Sequence, residues 1–244
     1  MSSSPLNIVD NNRAAISPEQ FQEGTILLID KPLEWTSFDV VNKIRFALKY
    51  RLGVKKIKVG HAGTLDPLAT GLLLLCTGKY TKKLESLQGQ DKRYDGTFKL
   101  GATTPTYDAE AEEDHQYPVD HITTDLLEQG LREFTGPIDQ VPPIYSAVKI
   151  KGSPAYKLAR RGKEVVLKSR PVTIHSFHAE LLSPSEGRFE VACSKGTYIR
   201  SLIHDLGRQM ESGAYLTSLR RTYIGDYALS DALSIDRIIE IINM

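Results

Sequence analysis

The stretch Gly60-His61-Ala62-Gly63-Thr64-Leu65-Asp66-Pro67-Leu68-Ala69-Thr70-Gly71 organises the whole 244-residue chain around one loop carboxylate. Three glycines within twelve residues let the backbone turn sharply and approach a ligand closely. Asp66 stands before a proline, which biases it away from helical geometry and toward an extended loop. A carboxylate held this way can point into a cleft, whereas an isolated Asp-Pro is most often only a turn. Downstream, Leu72 to Cys76 is a continuous apolar run of the kind found in a strand buried on both faces. Upstream, Lys56 to Gly60 reads as the strand that enters the loop.

Further out, Thr25 to Ile29 reads as another buried strand. Thr36 and Ser37 offer a helix N-cap, Phe38, Val41, Ile44 and Leu48 follow at helical spacing, and Gly53 supplies the stop. Tyr94 to Leu100 alternates as a strand, and an acidic surface loop follows Gly101. Thr123 or Thr124 caps a helix with Leu127, Leu131 and Phe134 on its inner face. Ser153-Pro154 predicts a further helix start, with Gly162 as its end. Val165 to Leu182 and Arg188 to Cys193 read as strands, Thr197 to Leu206 as a helix stopped by Gly207, and Leu219 to Ala228 as strand. A short helix, Ser234 to Ile242, comes last. Strands and helices alternate irregularly, which favours an α+β arrangement with a mixed, largely antiparallel central sheet flanked by helices and loops.

Hydrophobic residues at 41% and charged residues at 25% are ordinary for a globular chain with a sizeable core. No apolar run approaches bilayer length, and the amino terminus lacks the basic-then-apolar order of a signal peptide, so a cytoplasmic protein is expected. Cys76 and Cys193 sit in apolar, strand-like surroundings and read as buried and reduced. His61 has no second histidine at ligand spacing, so no metal site is expected; the expected chemistry needs no cofactor. The net charge of +1 hides an asymmetry. Lys149, Lys151, Lys157, Arg160, Arg161, Lys163, Lys168 and Arg170 face the single acid Glu164, while the stretch from Asp108 to Asp139 is strongly acidic. Such a pairing suggests a polyanion held on one face and repelled from another.

The loop resembles the catalytic motif of the TruB-type pseudouridine synthases, and the resemblance extends through ordered blocks along the chain. Asp30-Lys31-Pro32 with Thr36-Ser37 looks like the family's amino-terminal motif, and Asp91-Lys92-Arg93-Tyr94 like its tyrosine motif. Gln140 to Lys149, Gly196 to Leu202 with Asp205-Leu206-Gly207, and Leu219-Arg220-Arg221 match further blocks. The resemblance implies the pseudouridine-synthase fold and isomerisation of uridine 55 in the T loop of tRNA, with no guide RNA. It implies Asp66 as the catalytic carboxylate, attacking the target nucleotide or abstracting a proton from it. Tyr94 then stacks on the flipped base, Tyr198 lies near C5 of that base, and Leu219 forms an apolar wall. Arg200 pairs with Asp66, His61 fills the space that the flipped nucleotide leaves, and Lys31 supports the active-site backbone or contacts phosphate. Lys149, Lys151, Lys157, Arg160 and Arg161 belong to a basic element, about 140–165, that grips the RNA backbone.

The expected organisation is a polar segment over 1–24, a catalytic domain over 25–230 and a short helix over 231–244 in place of a full carboxy-terminal RNA-binding domain. A monomer with no membrane contact is expected. Glu34 departs from the family pattern, which has glycine there; a glutamate is strained if that turn needs a positive φ, so a different local backbone is expected. Three rival readings are an RNA-folding helper that only grips the T arm, a guide-RNA-dependent enzyme, and a glycosidase acting on sugars. The last lacks an evident second carboxylate.

Overall fold

The computed structural model describes residues 7–12, 16–150, 152–162 and 165–244. In chain order, the first elements are β1 (Ile8–Val9), α1 (Pro18–Glu23), β2 (Ile26–Lys31), α2 (Ser37–Leu52), β3 (Val59–His61), β4 (Ala69–Thr77) and α3 (Leu84–Gln88). Then come β5 (Lys92–Leu100), β6 (Ala102–Thr103), β7 (His115–Gln116), α4 (Thr124–Glu133), β8 (Gly136–Gln140), β9 (Lys149–Ile150), β10 (Ser153–Pro154) and α5 (Ala155–Ala159). The last are β11 (Arg170–Ser183), β12 (Glu186–Cys193), α6 (Ile199–Gln209), β13 (Ala214–Ile224), β14 (Tyr227–Ala228) and α7 (Ile235–Asn243). Two compact units result: Met1–Arg93 with Arg220–Met244, and Tyr94–Leu219. No helix among the described residues is long and apolar enough to cross a membrane.

The first unit is built on the pairing of β2 with β4, antiparallel in the register Ile26↔Cys76 through Lys31↔Gly71. Successive side chains on these strands point to opposite faces. Leu27, Ile29, Leu73 and Leu75 meet Val40, Val41, Ile44 and Leu48 of α2 and Ile238, Ile241 and Ile242 of α7. Ile26, Leu28, Leu72, Leu74 and Cys76 pack on the other face with Ala62, Leu87 and Ile224. Both faces are covered, which is why the sequence shows an unbroken apolar run there and no alternation. β1 joins β2 in parallel, whereas β3 pairs β4 antiparallel, so the sheet is mixed.

Helix α2 begins where the sequence places it. Thr36 Oγ1 accepts from the Asp39 amide at 3.0 Å, and Asp39 Oδ2 accepts from the Thr36 amide at 3.0 Å. Gly53 ends the helix at φ 62°. Its inner face differs from expectation at one position: Phe38 is 60% exposed, and Val40 takes the core place beside Val41. The periodicity fits either residue, because one helical turn is longer than three residues and shorter than four.

In the second unit the strands follow in the order β13-β5-β12-β11-β8, with β11 antiparallel to both β12 and β8. Gly130 of α4 lies so close to Leu206 of α6 that a Cβ there would fall 2.7 Å from a leucine methyl. Gly207 proves not to be a helix stop. It lies inside α6, and an added Cβ would fall 2.3 Å from the Ala214 amide nitrogen, so glycine permits close packing rather than termination. The helix expected from Ser153 is also shorter, because Ser153 and Pro154 pair with Ile150 and Lys149 around Gly152, and Pro154 becomes the N-cap of α5. The acidic stretch is not all surface: Thr104, Thr106 and Asp108 are buried.

Glu34 keeps the positive φ, at 66°, and its amide donates to the Pro67 carbonyl at 2.9 Å. The turn is therefore retained and the strain accepted. A left-handed conformation costs a side-chain-bearing residue about 1–2 kcal/mol, partly offset in glycine by its greater unfolded-state entropy. Glu34→Gly should raise the unfolding free energy by up to about 1 kcal/mol. A fall in the urea midpoint would contradict that account. Leu73→Ala, in the layer between β4 and the helices, should cost about 2–5 kcal/mol, read from the same unfolding curves.

Candidate active site

In the first unit, the Gly60–Gly71 loop is fixed by groups that reach it from four separate positions in the chain. Ser37, buried at the first turn of α2, accepts from the Leu65 amide at 2.8 Å and donates to the Leu65 carbonyl at 3.1 Å. On the other side of Asp66, the Pro67 carbonyl accepts from the Glu34 amide and, at 3.3 Å, from Lys31 Nζ. Arg221, 1% exposed, donates from Nη2 to the Gly63 carbonyl at 3.1 Å and from Nε to the Leu72 carbonyl at 2.8 Å. Gly71, at φ 97°, is required because a Cβ would meet the Arg221 carbonyl oxygen at 2.4 Å. The Ala69 amide closes a turn on the Asp66 carbonyl at 3.1 Å. Asp66 itself is half-buried.

Lys31 is fully buried, and its ammonium also donates to the carbonyls of Pro32, at 2.8 Å, and Trp35. Burial pushes its pKa down to about 8, opposed by the attraction of Asp66 and reinforced by Arg221. The site thus has a buried cation whose largest electrostatic support is the loop carboxylate itself. His61 ends β3, half-buried, and burial lowers its pKa, which favours the neutral imidazole. Arg220 holds Asp30 at 2.8 Å and Thr70 Oγ1 at 3.3 Å, tying the loop's far end to β2.

In the second unit, Tyr94 stands buried near the start of β5. Tyr198 is the N-cap residue of α6, and its backbone is clamped by one side chain. Gln140 Oε1 accepts from the Tyr198 amide at 2.8 Å, and Gln140 Nε2 donates to the Tyr198 carbonyl at 3.1 Å. The guanidinium of Arg170 lies 4.7 Å from the centre of the Tyr198 ring. Arg200, in the first turn of α6, is 5% exposed and donates to the carbonyls of Thr106 and Tyr145, each at 2.8 Å. Its Nη1 lies 3.5 Å from Asp108 Oδ2, also buried. Leu219 is half-buried on β13.

The basic element is in part visible. Lys149, Lys157, Arg160 and Arg161 are exposed; Lys151 and Lys163 lie outside the described residues. Arg160 reaches Glu110 at 3.3 Å, so at this point the basic and acidic stretches meet instead of facing apart. In the sequence, Gln140 and Arg221 stand inside family motifs with no role of their own, and Asp108 reads as one acid of a surface loop. A glutamine, arginine and aspartate are recognisable as buried clamps only once their distant carbonyl and amide partners are known. Among the described residues, no group of histidines, cysteines and carboxylates is arranged to hold a metal ion.

A family model described as TruB family pseudouridylate synthase (N terminal domain) matches residues 49–199. A tRNA pseudouridine synthase B from Flavobacterium johnsoniae is 54% identical over 221 residues, covering 90% of this chain and 96% of the relative. A protein of the same name from Phocaeicola vulgatus is 53% identical over 216 residues, covering 88% and 92%. Among solved structures, a chain of a Cbf5-Nop10-Gar1 complex matches with a TM-score of 0.68 at 28% identity, over 92% of this chain. This chain spans 56% of that one. With its mixed sheet and flanking helices, the chain belongs to the TruB family of pseudouridylate synthases.

Proposed function

We propose that this protein is a stand-alone tRNA pseudouridine synthase that isomerises the T-loop uridine 55, with Asp66 as its catalytic carboxylate and no guide RNA. The observation that carries the reading is the fixed backbone on both sides of Asp66, in a chain whose relatives bear that name over nearly their full length.

The reaction is a rearrangement within one nucleotide. The bond from N1 of the base to C1′ of the ribose breaks, the base turns, a bond forms from C5 to C1′, and the proton on C5 leaves as N1 gains one. Breaking the first bond develops positive charge on the sugar. A carboxylate stabilises or captures that charge, as in glycosidases, or removes a sugar proton to give a glycal. On either route Asp66 must be ionised and close to the sugar. The base must also be out of its stack, which costs a few kcal/mol. Stacking on Tyr94 offsets that cost, and Tyr198 and Leu219 line the place of the base. His61, held at the end of β3, fills the vacated position in the RNA loop. Arg200 supports the site as a fixed cation; its donors to Thr106 and Tyr145 hold the guanidinium rigid. Lys149, Lys151, Lys157, Arg160 and Arg161 contact phosphates, which gives affinity and salt dependence but little sequence information. The protein works as a monomer in the cytoplasm.

Purified protein incubated with bare unmodified tRNA transcript should form pseudouridine at a single T-loop site, detected by chemical mapping. Asp66→Asn should bind the transcript with near wild-type affinity and form no product. Turnover by that variant would overturn the assignment, and a need for guide RNA would move the protein to another branch of catalysis.

Lys31 adds a pH signature. Its pKa is about 8 in the fold against 10.5 ordinarily. Between those values the unfolded chain still holds a proton that the folded chain has released, so the burial penalty is complete below the folded pKa and fades as pH rises to the unfolded one. Relative to Lys31→Met, wild-type stability should therefore climb from about pH 8 to about 10.5, measured by urea unfolding at several pH values. A difference that stays flat across that window would show the lysine titrating normally.

A further inference from the structure

Helix α2 carries a feature that the reaction does not use. Its solvent face shows Phe46 at 73% and Tyr50 at 84% exposure, one turn apart, with Lys43 and Lys49 three residues to either side of Phe46. Helical geometry puts all four on one surface, since residues three and four apart are neighbours and four residues rise roughly 6 Å. The core face of the same helix is already complete with Val40, Val41, Ile44 and Leu48, so the aromatics are not displaced core residues. From residue 40 to residue 65 the chain holds Lys43, Arg45, Lys49, Arg51, Lys55, Lys56 and Lys58 and no acid. Arg51 donates to the Met244 carbonyl at 3.0 Å and Arg45 is held by Asn42 and the Val59 carbonyl, whereas Lys43, Lys49, Lys55, Lys56 and Lys58 are exposed.

Large exposed aromatics are uncommon on a solvated helix, and lone charge runs are not. Their interleaving is the informative point. A second copy meeting this face with its own α2 would bury the aromatics but set two dense positive fields against each other. Flat rings one turn apart among exposed ammonium groups suit unpaired bases, which stack on aromatics of any identity, joined by phosphates that lysines neutralise. We propose that the outer face of α2 is a second RNA contact, separate from the uridine pocket, which takes single-stranded nucleotides by stacking on Phe46 and Tyr50 with Lys43 and Lys49 on the flanking phosphates. It rests on the reading of the protein as an RNA enzyme and extends that reading to a surface of the first unit.

The test is equilibrium binding of unmodified tRNA transcript, and of a short unstructured oligoribonucleotide, to the full-length protein by fluorescence anisotropy. The paired substitution Phe46→Ala with Tyr50→Ala touches only exposed side chains; circular dichroism and the unfolding midpoint verify the fold. Affinity for both RNAs should fall about tenfold. Lys43→Ala with Lys49→Ala should lower the slope of log affinity against log salt by about one to two, and the aromatic pair should leave that slope unchanged. RNA affinity of the aromatic variant within twofold of wild type overturns the proposal. It does so also if the same substitutions abolish binding to phosphatidylserine vesicles, which would give the face to a membrane, or a self-association seen by sedimentation, which would give it to a second copy. Wild-type pseudouridine formation is assayed separately: its absence would sink the proposed enzyme while the binding comparison still stands.

Discussion

The structure depends on hydrogen bonds from distant side chains to the backbone on either side of Asp66. Ser37 both donates to and accepts from Leu65, while Lys31 and the Glu34 amide converge on the Pro67 carbonyl. Each ordinary bond of this kind is worth about 1 kcal/mol net, and those from charged donors about 1.5–3. Their significance lies less in that sum than in where they act. A carboxylate whose two neighbouring peptide groups are both fixed has little backbone freedom left to lose when a nucleotide arrives. The Arg221 donors to Gly63 and Leu72 extend the same control to both ends of the loop. Burying Lys31 and Arg221 is costly in isolation, and the depressed lysine pKa is the visible sign of that cost.

The second unit solves an equivalent problem for α6. A helix start leaves amide groups unpaired, and here the N-cap residue is Tyr198, which has no side-chain oxygen able to cap its own helix. Gln140 instead binds the Tyr198 amide and carbonyl together, so the ring leaves the helix start from a fixed backbone. Two residues on, Arg200 spreads its guanidinium over the Thr106 and Tyr145 carbonyls and lies beside Asp108. The segment from Gln140 to Tyr145 therefore touches both residues that the family resemblance marks out on this helix. That explains in physical terms why a run rich in proline, and short of regular structure, forms one of the chain's recognisable blocks.

Local patterns made much of the fold legible. The Thr36 cap, the Gly53 stop and the apolar run from Leu72 to Cys76 each depend on contacts or conformations set within a few residues, and each appears as the sequence implies. The same kind of reasoning misplaced Phe38, Gly207 and the start of α5, because those depend on what lies across the helix: a full core layer, the chain at Ala214, and the strand pair around Gly152. Asp66 could be singled out from its loop and its resemblance. Ser37, Gln140, Asp108 and Arg221 could not, since a buried polar group is defined by a partner that is remote in sequence.

Glu34 joins these two kinds of information. Sequence comparison marks it as a residue out of place, and the backbone shows why the place persists: the turn must present the Glu34 amide to the Pro67 carbonyl. A residue held in an unfavourable region survives only where its surroundings over-determine it, and such positions gather at functional sites. Here the surroundings are the buried lysine, which shares the Pro67 carbonyl with the Glu34 amide, and the buried serine that holds Leu65 on the other side of Asp66. Strain at Glu34, desolvation at Lys31 and close approach at Gly71 are three separate concessions of stability, and all three fall on the same loop. None of the three belongs to the apolar layers that hold β2, β4 and α2 together, so these concessions serve the loop that fixes the acid at residue 66.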